Sequence, residues 1–221
     1  MRPLIAVLLF AAFHGCAHRQ PAATPLRRVL LMGDSQSYRG LGLGLQTKLW
    51  NDRRLSVDAV AQSGANSSWY LDGRSGSWGL LWAPFQQNPE RRAPAATPVV
   101  DELLKRFQPE LVLIQLGGNS TDDDPAVTER DARELIRRIR AAGAQCFWIG
   151  PPPGWARHRE RFRALVPLLD RVARESGCQG FLDARFLKVP ESGGDGKHLD
   201  TYGPEGERLL QEWIERIVSS L

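Results

Sequence analysis

Only four histidines and three cysteines occur in 221 residues, and those two shortages exclude much chemistry. There is no H-E-x-x-H run and no paired C-x-x-C, so the usual zinc-ligand sets are missing and no metal is expected. The net charge of +4 comes from scattered arginines, without a basic stripe or a recognisable reading module. No nucleic-acid partner is expected on that ground, although weak attraction to an anionic envelope polymer or lipid surface is compatible with it. No apolar run is long enough to cross a bilayer. Internal repeats and low-complexity tracts are also missing. So is the G-x-S-x-G nucleophile elbow, which argues against the α/β-hydrolase fold.

The first residues read as a targeting signal. Met1-Arg2 is a short positive region and Leu4 to Phe13 a short apolar one, so residues 1–15 are expected to be a signal peptide. Phe13-His14-Gly15-Cys16 is similar to a bacterial lipobox: Gly15 and Cys16 match, while Phe13 and His14 depart from the usual aliphatic and small residues. Ordinary cleavage after Ala17 is the alternative. The expected location is therefore exported, periplasmic or associated with the cell envelope, with membrane attachment through a lipidated Cys16 in the first case. Residues 16–27 read as a polar tether containing Pro and Ala, and 28–221 as a single domain. Export would also place Cys146 and Cys178 in an oxidising compartment. Each sits at or just before an expected strand, so neighbouring strands would allow a disulfide; otherwise they are two buried, inert thiols.

Strand and helix patterns alternate through the rest of the chain. Val29 to Met32 is an apolar run stopped by Gly33-Asp34-Ser35, the pattern of a buried parallel strand, here Arg28 to Met32, ending in a turn. Leu41, Leu45 and Leu49 give helical spacing over Arg39 to Trp50. A second strand over Leu55 to Val60 leads into Gln62-Ser63-Gly64-Ala65-Asn66. Residues 67–98 form an irregular insertion rich in Trp, Gly and Pro. A helix over Val99 to Phe107 is stopped by Pro109, and a strand over Leu111 to Leu116 ends on Gly117-Gly118-Asn119. A long amphipathic helix, Pro125 to Ala142, stops at Gly143. Gln145 to Ile149 is a fourth strand, followed by a helix over roughly Ala156 to Ser176 with Pro167 as a kink candidate. Phe181 to Asp183 is a fifth strand, and Pro204 to Ser219 closes the chain as a helix. This alternation implies an α/β fold: three α/β/α layers around a central, mostly parallel five-stranded sheet.

Several short motifs fail on inspection. Gly40-Leu-Gly-Leu-Gly44 lacks the last spacing of a dinucleotide fingerprint, and close helix packing explains it better. Gly193-Gly-Asp-Gly-Lys197 lacks the final Ser/Thr of a P-loop and its strand-to-helix context. Thr121-Asp-Asp-Asp124 before Pro125 reads as a helix start rather than a metal site. No cofactor is implied. His158 lies among arginines and reads as surface. His198 differs, because Asp195 stands three residues before it in a Gly-rich turn. That offset lets the carboxylate fold back onto the ring Nδ1–H and leave Nε2 to take a proton.

Four blocks thus stand at expected strand ends or in a late loop: Gly33-Asp34-Ser35, Gly64, Gly117-Gly118-Asn119 and Asp195-x-x-His198. In this order they resemble the SGNH (GDSL-type) esterase and lipase family, from about Val29 to the C-terminal helix. The resemblance implies a flavodoxin-like α/β/α fold and an ester hydrolase with an acyl-serine intermediate. It implies Ser35 as nucleophile, His198 as base and then acid, and Asp195 as its orienter. The oxyanion would be held by the backbone N–H groups of Ser35 and Gly64 and the side-chain amide of Asn119. Two departures stand out: Ser120 occupies a position where many members have Asp, and Leu199 one where Pro is frequent. The insertion at 67–98 is longer than in compact periplasmic members. Its Trp69, Tyr70, Trp78 and Trp82 form either an aromatic wall for a sugar ring or acyl chain, or anchors for the insertion itself. The expected substrate is an acylated carbohydrate, through O-acetyl removal, or a lipid or thioester. Acetyl transfer between sugars and a non-catalytic binding module are further alternatives. The binding module would have lost parts of the triad, whereas every block here is intact.

Overall fold

Five apolar runs become parallel strands because both of their faces are covered. In β1 (Arg28–Gly33), Leu30 and Met32 point into one core cluster while Val29 and Leu31 point into another. This is the period-2 alternation of a strand buried on both sides. A computed structural model of the protein describes residues 27–154 and 159–221. The expectations for the signal peptide, Cys16, the tether up to residue 26 and His158 lie outside the described residues.

The further strands are β2 (Ser56–Gln62), β3 (Ser75–Gly76), β4 (Leu80–Ala83), β5 (Glu90–Arg92), β6 (Ala95–Ala96), β7 (Leu111–Gln115), β8 (Gln145–Ile149) and β9 (Gly180–Leu182). The helices are α1 (Gly42–Arg53), α2 (Ser67–Asp72), α3 (Val100–Phe107), α4 (Pro125–Ala141), α5 (Arg159–Glu175) and α6 (Gly203–Ser220). The sheet runs β5-β4-β2-β1-β7-β8-β9. The five strands β2, β1, β7, β8 and β9 are parallel. α2 to α5 contribute to the core on one face, and α1 and α6 pack on the other. β1 lies at the centre, with β2 on one side and β7 on the other. The strand order reverses there, so its carboxyl edge opens into the crevice where ligands bind in such sheets.

The sheet has seven strands rather than the expected five. The two additional strands come from the insertion, which is not irregular throughout. Leu80, Leu81 and Ala83 are buried, and β4 pairs antiparallel with β2. β5 then pairs antiparallel with β4, and its residues Glu90, Arg91 and Arg92 are all exposed. A charged edge of this kind discourages further strand addition. Four apolar residues among Gly, Pro and Trp give too short a signal to read as a strand, and only burial against β2 makes them one.

Other expectations meet a physical reason in the structure. Cys146 on β8 and Cys178, just before β9, form a disulfide because those two strands are neighbours. At the start of α4, Asp124 accepts the Ala126 N–H and Pro125 occupies the first turn, the expected capping arrangement. α5 runs on through Pro167. The glycines at 40 and 44 allow close packing on α6. A Cβ at Gly40 would lie 2.9 Å from Leu210, and one at Gly44 2.5 Å from Ile214.

Gly206 makes the tightest such approach. A Cβ there would lie 1.7 Å from the backbone oxygen of Leu199, in the turn that directly follows His198. Gly206→Ala must push this turn away from α6, at a cost of about 1–3 kcal/mol or more. The expected thermal midpoint is lower by several degrees, at roughly 2–4 °C per kcal/mol for a domain of this size. An unchanged midpoint in a thermal melt would show that the turn relaxes freely.

Candidate active site

The turn after β1 is built to present one serine. Gly33 leaves no room for a side chain, because a Cβ there would lie 2.2 Å from Ser37 Oγ. Its carbonyl accepts the Tyr70 hydroxyl at 2.7 Å, and the Asp34 N–H donates to the Gln115 carbonyl. Asp34 Oδ1 accepts the Gln36 N–H at 2.9 Å, and Ser37 donates to Gln115 Oε1 at 2.7 Å. A π-helical turn, Ser37–Leu41, then leads into α1. Such turns are rare and concentrate at functional sites. Burial pushes the Asp34 carboxyl up to about 6, against the pull of the Gln36 N–H and the Lys197 ammonium.

Ser35 is only 2% exposed, and its partner arrives from the far end of the chain. His198 Nε2 lies 2.9 Å from Ser35 Oγ, and His198 Nδ1 lies 2.6 Å from Asp195 Oδ2. An ionised Asp195 can only accept, so Nδ1 carries the proton and Nε2 faces Ser35 as an acceptor. The second carboxylate oxygen, Oδ1, accepts the N–H groups of Lys197 at 2.8 Å and His198 at 2.7 Å. Burial by itself raises the Asp195 pKa, but the His198 backbone and ring and the Lys197 N–H hold it well below the usual carboxylate range. Burial lowers the His198 pKa, Asp195 opposes this, and Arg39 and Lys197 add to the lowering.

Gly64 follows β2 with φ +88°, a left-handed conformation that favours glycine. Its N–H donates to no group among the described residues. Asn119, in a 3-10 turn after β7, donates from Nδ2 to the Ala65 carbonyl at 2.9 Å. Ser35 and Asn119 line one cavity together with Asp34, Gln36, Gly118 and Lys197. The structure thus joins Ser35, His198 and Asp195 in one hydrogen-bonded row, with Asn119 and Gly64 beside it. Such a row can transfer a serine proton to an imidazole while a carboxylate stabilises the resulting cation.

The aromatic residues of the insertion divide. Tyr70 is wholly buried and braces the turn after β1, and Trp69 and Trp82 pack against the core. Trp78 is 73% exposed, with Cδ1 3.6 Å from where a Cβ on Gly64 would sit. Trp69 also reaches Gly64, with Cη2 3.7 Å from the same point, so both indoles border the Gly64 turn and Trp78 is the exposed one.

Sequence reasoning missed Gln36, Lys197, Pro151, Pro152 and Phe162, all of which line the cavity. Gln36 Nε2 donates to the Lys197 carbonyl at 2.6 Å, tying the serine turn to the histidine loop. The available signal for Lys197 was its place directly before His198, hidden within a failed P-loop match. Pro151, Pro152 and Phe162 carry no chemical signature in sequence.

No family model matches the chain. It is similar to thioesterase 1/protease 1/lysophospholipase L1 of Escherichia coli (strain K12), with 27% identity covering 87% of this chain and 84% of the relative. Among solved structures, it is similar to a GDSL-like lipase from Bacteroides thetaiotaomicron. The TM-score is 0.54 at 15% identity, covering 88% of each chain. It is also similar to a family two carbohydrate esterase from Clostridium thermocellum in complex with cellohexaose. There the TM-score is 0.54 at 19% identity, over 91% of this chain and 68% of that one.

The electrostatics of the row can be checked in solution. His198 is expected to titrate below its ordinary value of 6.5, read from its ring signals in an NMR pH titration. Asp195→Asn removes the carboxylate that favours the imidazolium, so the midpoint should fall further. A midpoint above 6.5 in the parent would show that the pull of Asp195 outweighs burial, and an unchanged midpoint in Asp195→Asn would contradict the pairing.

Proposed function

We propose that this chain, an SGNH (GDSL-type) ester hydrolase, removes O-acetyl groups from an envelope or extracellular carbohydrate. The carrying observation is the cavity beside Ser35. Its volume is about 250 Å³, and Asn119, Gln36, Thr121, Asp122 and Lys197 line it alongside Pro151, Pro152 and Phe162. That is smaller than the roughly 300–1,000 Å³ of pockets for drug-sized ligands. A small, half-polar space suits a short acyl group better than a long alkyl chain. Exposed Trp78 beside Gly64 adds an aromatic face of the kind on which a sugar ring stacks.

In this reading Ser35 Oγ attacks the acyl carbon as His198 Nε2 takes its proton. The carbonyl oxygen becomes an oxyanion held by the Ser35 and Gly64 N–H groups and Asn119 Nδ2. His198 then gives the proton to the departing sugar hydroxyl, leaving an acyl-serine. Water then attacks the acyl carbon as His198 Nε2 takes its proton, and His198 returns that proton to Ser35 Oγ as the acyl-serine bond breaks and acetate leaves. Asp195 stays ionised throughout and stabilises the imidazolium.

The same reading places the protein outside the cytoplasm, either with residues 1–15 removed and Cys16 as a lipid anchor or with cleavage after Ala17 and no anchor. The Cys146–Cys178 disulfide supports an oxidising compartment. A second reading, long-chain thioesterase or lysophospholipase, is favoured by the similarity to the Escherichia coli enzyme over most of both chains.

Hydrolysis of p-nitrophenyl esters from acetyl to palmitoyl separates the two. Activity is expected to peak at acetyl and to vanish in Ser35→Ala; a peak at long chains favours the lipid reading. Asn119→Ala should lower kcat by roughly 10²–10³, about 3–4 kcal/mol, with unchanged circular dichroism. A folded protein inert on every chain length, whose Ser35 also resists a fluorophosphonate, would be a binding module and not an enzyme.

A further inference from the structure

Lys197 is half-buried beside the nucleophile, with its ammonium 2.6 Å from Asn119 Oδ1. Among the described residues that ammonium makes no other hydrogen bond and no ion pair. A charge-assisted bond to an amide oxygen is stronger than a neutral one and fixes which end of the amide it meets. The feature therefore asks for a role beyond surface charge.

The chemistry of the contact is directional. An ammonium has donors only, so it can face the carbonyl end of the Asn119 amide but never the NH₂ end. With Oδ1 committed to Lys197, Nδ2 is turned the other way. One of its N–H groups goes to the Ala65 carbonyl, and the second is left for the cavity that Asn119 shares with Ser35. A cation on the amide oxygen also draws electron density from the nitrogen and strengthens that N–H as a donor.

We propose that Lys197 is a positioning residue for acyl transfer: it locks the Asn119 amide with its N–H aimed at the oxyanion and polarises it for that task. The inference rests on the reading of Asn119 as an oxyanion donor. The nearest rival is that Lys197 serves only to offset the buried Asp34, whose carboxyl feels its charge. The loop itself does not depend on the Lys197 side chain, because the backbone N–H donates to Asp195 Oδ1 and the carbonyl accepts from Gln36.

A double-mutant cycle on p-nitrophenyl acetate, with the mature enzyme, decides the matter. Lys197→Met is expected to lower kcat roughly tenfold to a hundredfold, with KM within about twofold, since the contact acts where charge develops. Lys197→Arg, which keeps a cationic donor, should recover most of the loss. In an Asn119→Ala background the same Lys197→Met change should cost no more than about twofold. Should Lys197→Met lower the thermal midpoint, Lys197→Leu, which likewise lacks a donor, takes its place in the same cycle. A parental kcat in the single variant, or a loss that adds fully to that of Asn119→Ala, overturns the inference while the oxyanion reading stands. A parental kcat in Asn119→Ala overturns that reading and this inference with it.

Discussion

One carboxylate organises the late loop on which the site depends. Asp195 divides its two oxygens: Oδ2 holds the His198 ring, and Oδ1 gathers the backbone N–H groups of Lys197 and His198. Backbone and ring are thus tied to the same group, so the carboxylate that orients the imidazole is itself held in place by the loop's N–H groups. Charge-assisted bonds of this kind are stronger than neutral ones. Thr201 Oγ1 closes the turn, accepting the Asp195 N–H at 3.0 Å and lying 2.7 Å from the His198 carbonyl.

The other half of the site is rigid for a different reason. Ser35 leaves the end of a central strand whose apolar residues are buried on both faces, so its position is inherited from the core. Tyr70 joins the insertion to this turn, through a hydroxyl bonded to the Gly33 carbonyl deep inside the protein. Gln36 then reaches across to the Lys197 carbonyl and holds the serine turn and the histidine loop together. Ser35 and His198, 163 positions apart in sequence, are brought together by the parallel topology, which returns the five parallel strands to the same carboxyl edge.

That edge also explains how the insertion acts on the site without supplying any of the row. By adding β4 and β5 outside β2 it extends the sheet, and it sets exposed Trp78 beside Gly64. The aromatic side chains share a composition but not an environment. Tyr70 braces, Trp69 and Trp82 pack, and Trp78 alone among the four meets solvent over most of its surface.

Much of this was legible in the sequence. Apolar runs ending on Gly-containing turns marked four of the five parallel strands, a short run at Phe181 to Asp183 marked the fifth, and the three-residue offset of Asp195 and His198 marked their pairing. These signals are local: a strand buried on both faces must be apolar along its length, and a carboxylate three residues from a histidine can reach its ring by a short turn. What lay outside local signal was decided by the fold. Leu80 to Ala83 became a strand because β2 offered an unpaired edge. Cys146 met Cys178 because β8 and β9 are neighbours. Lys197 came to rest on Asn119 because two loops, 78 residues apart in sequence, converge at one sheet edge. The sequence by itself determined the alternating strand-and-helix order and the pairing of Asp195 with His198, since both follow from residue type at short spacing. Only the tertiary structure decided which of them touch, which aromatic faces solvent and how small the cavity is, because these depend on contacts between segments far apart in the chain.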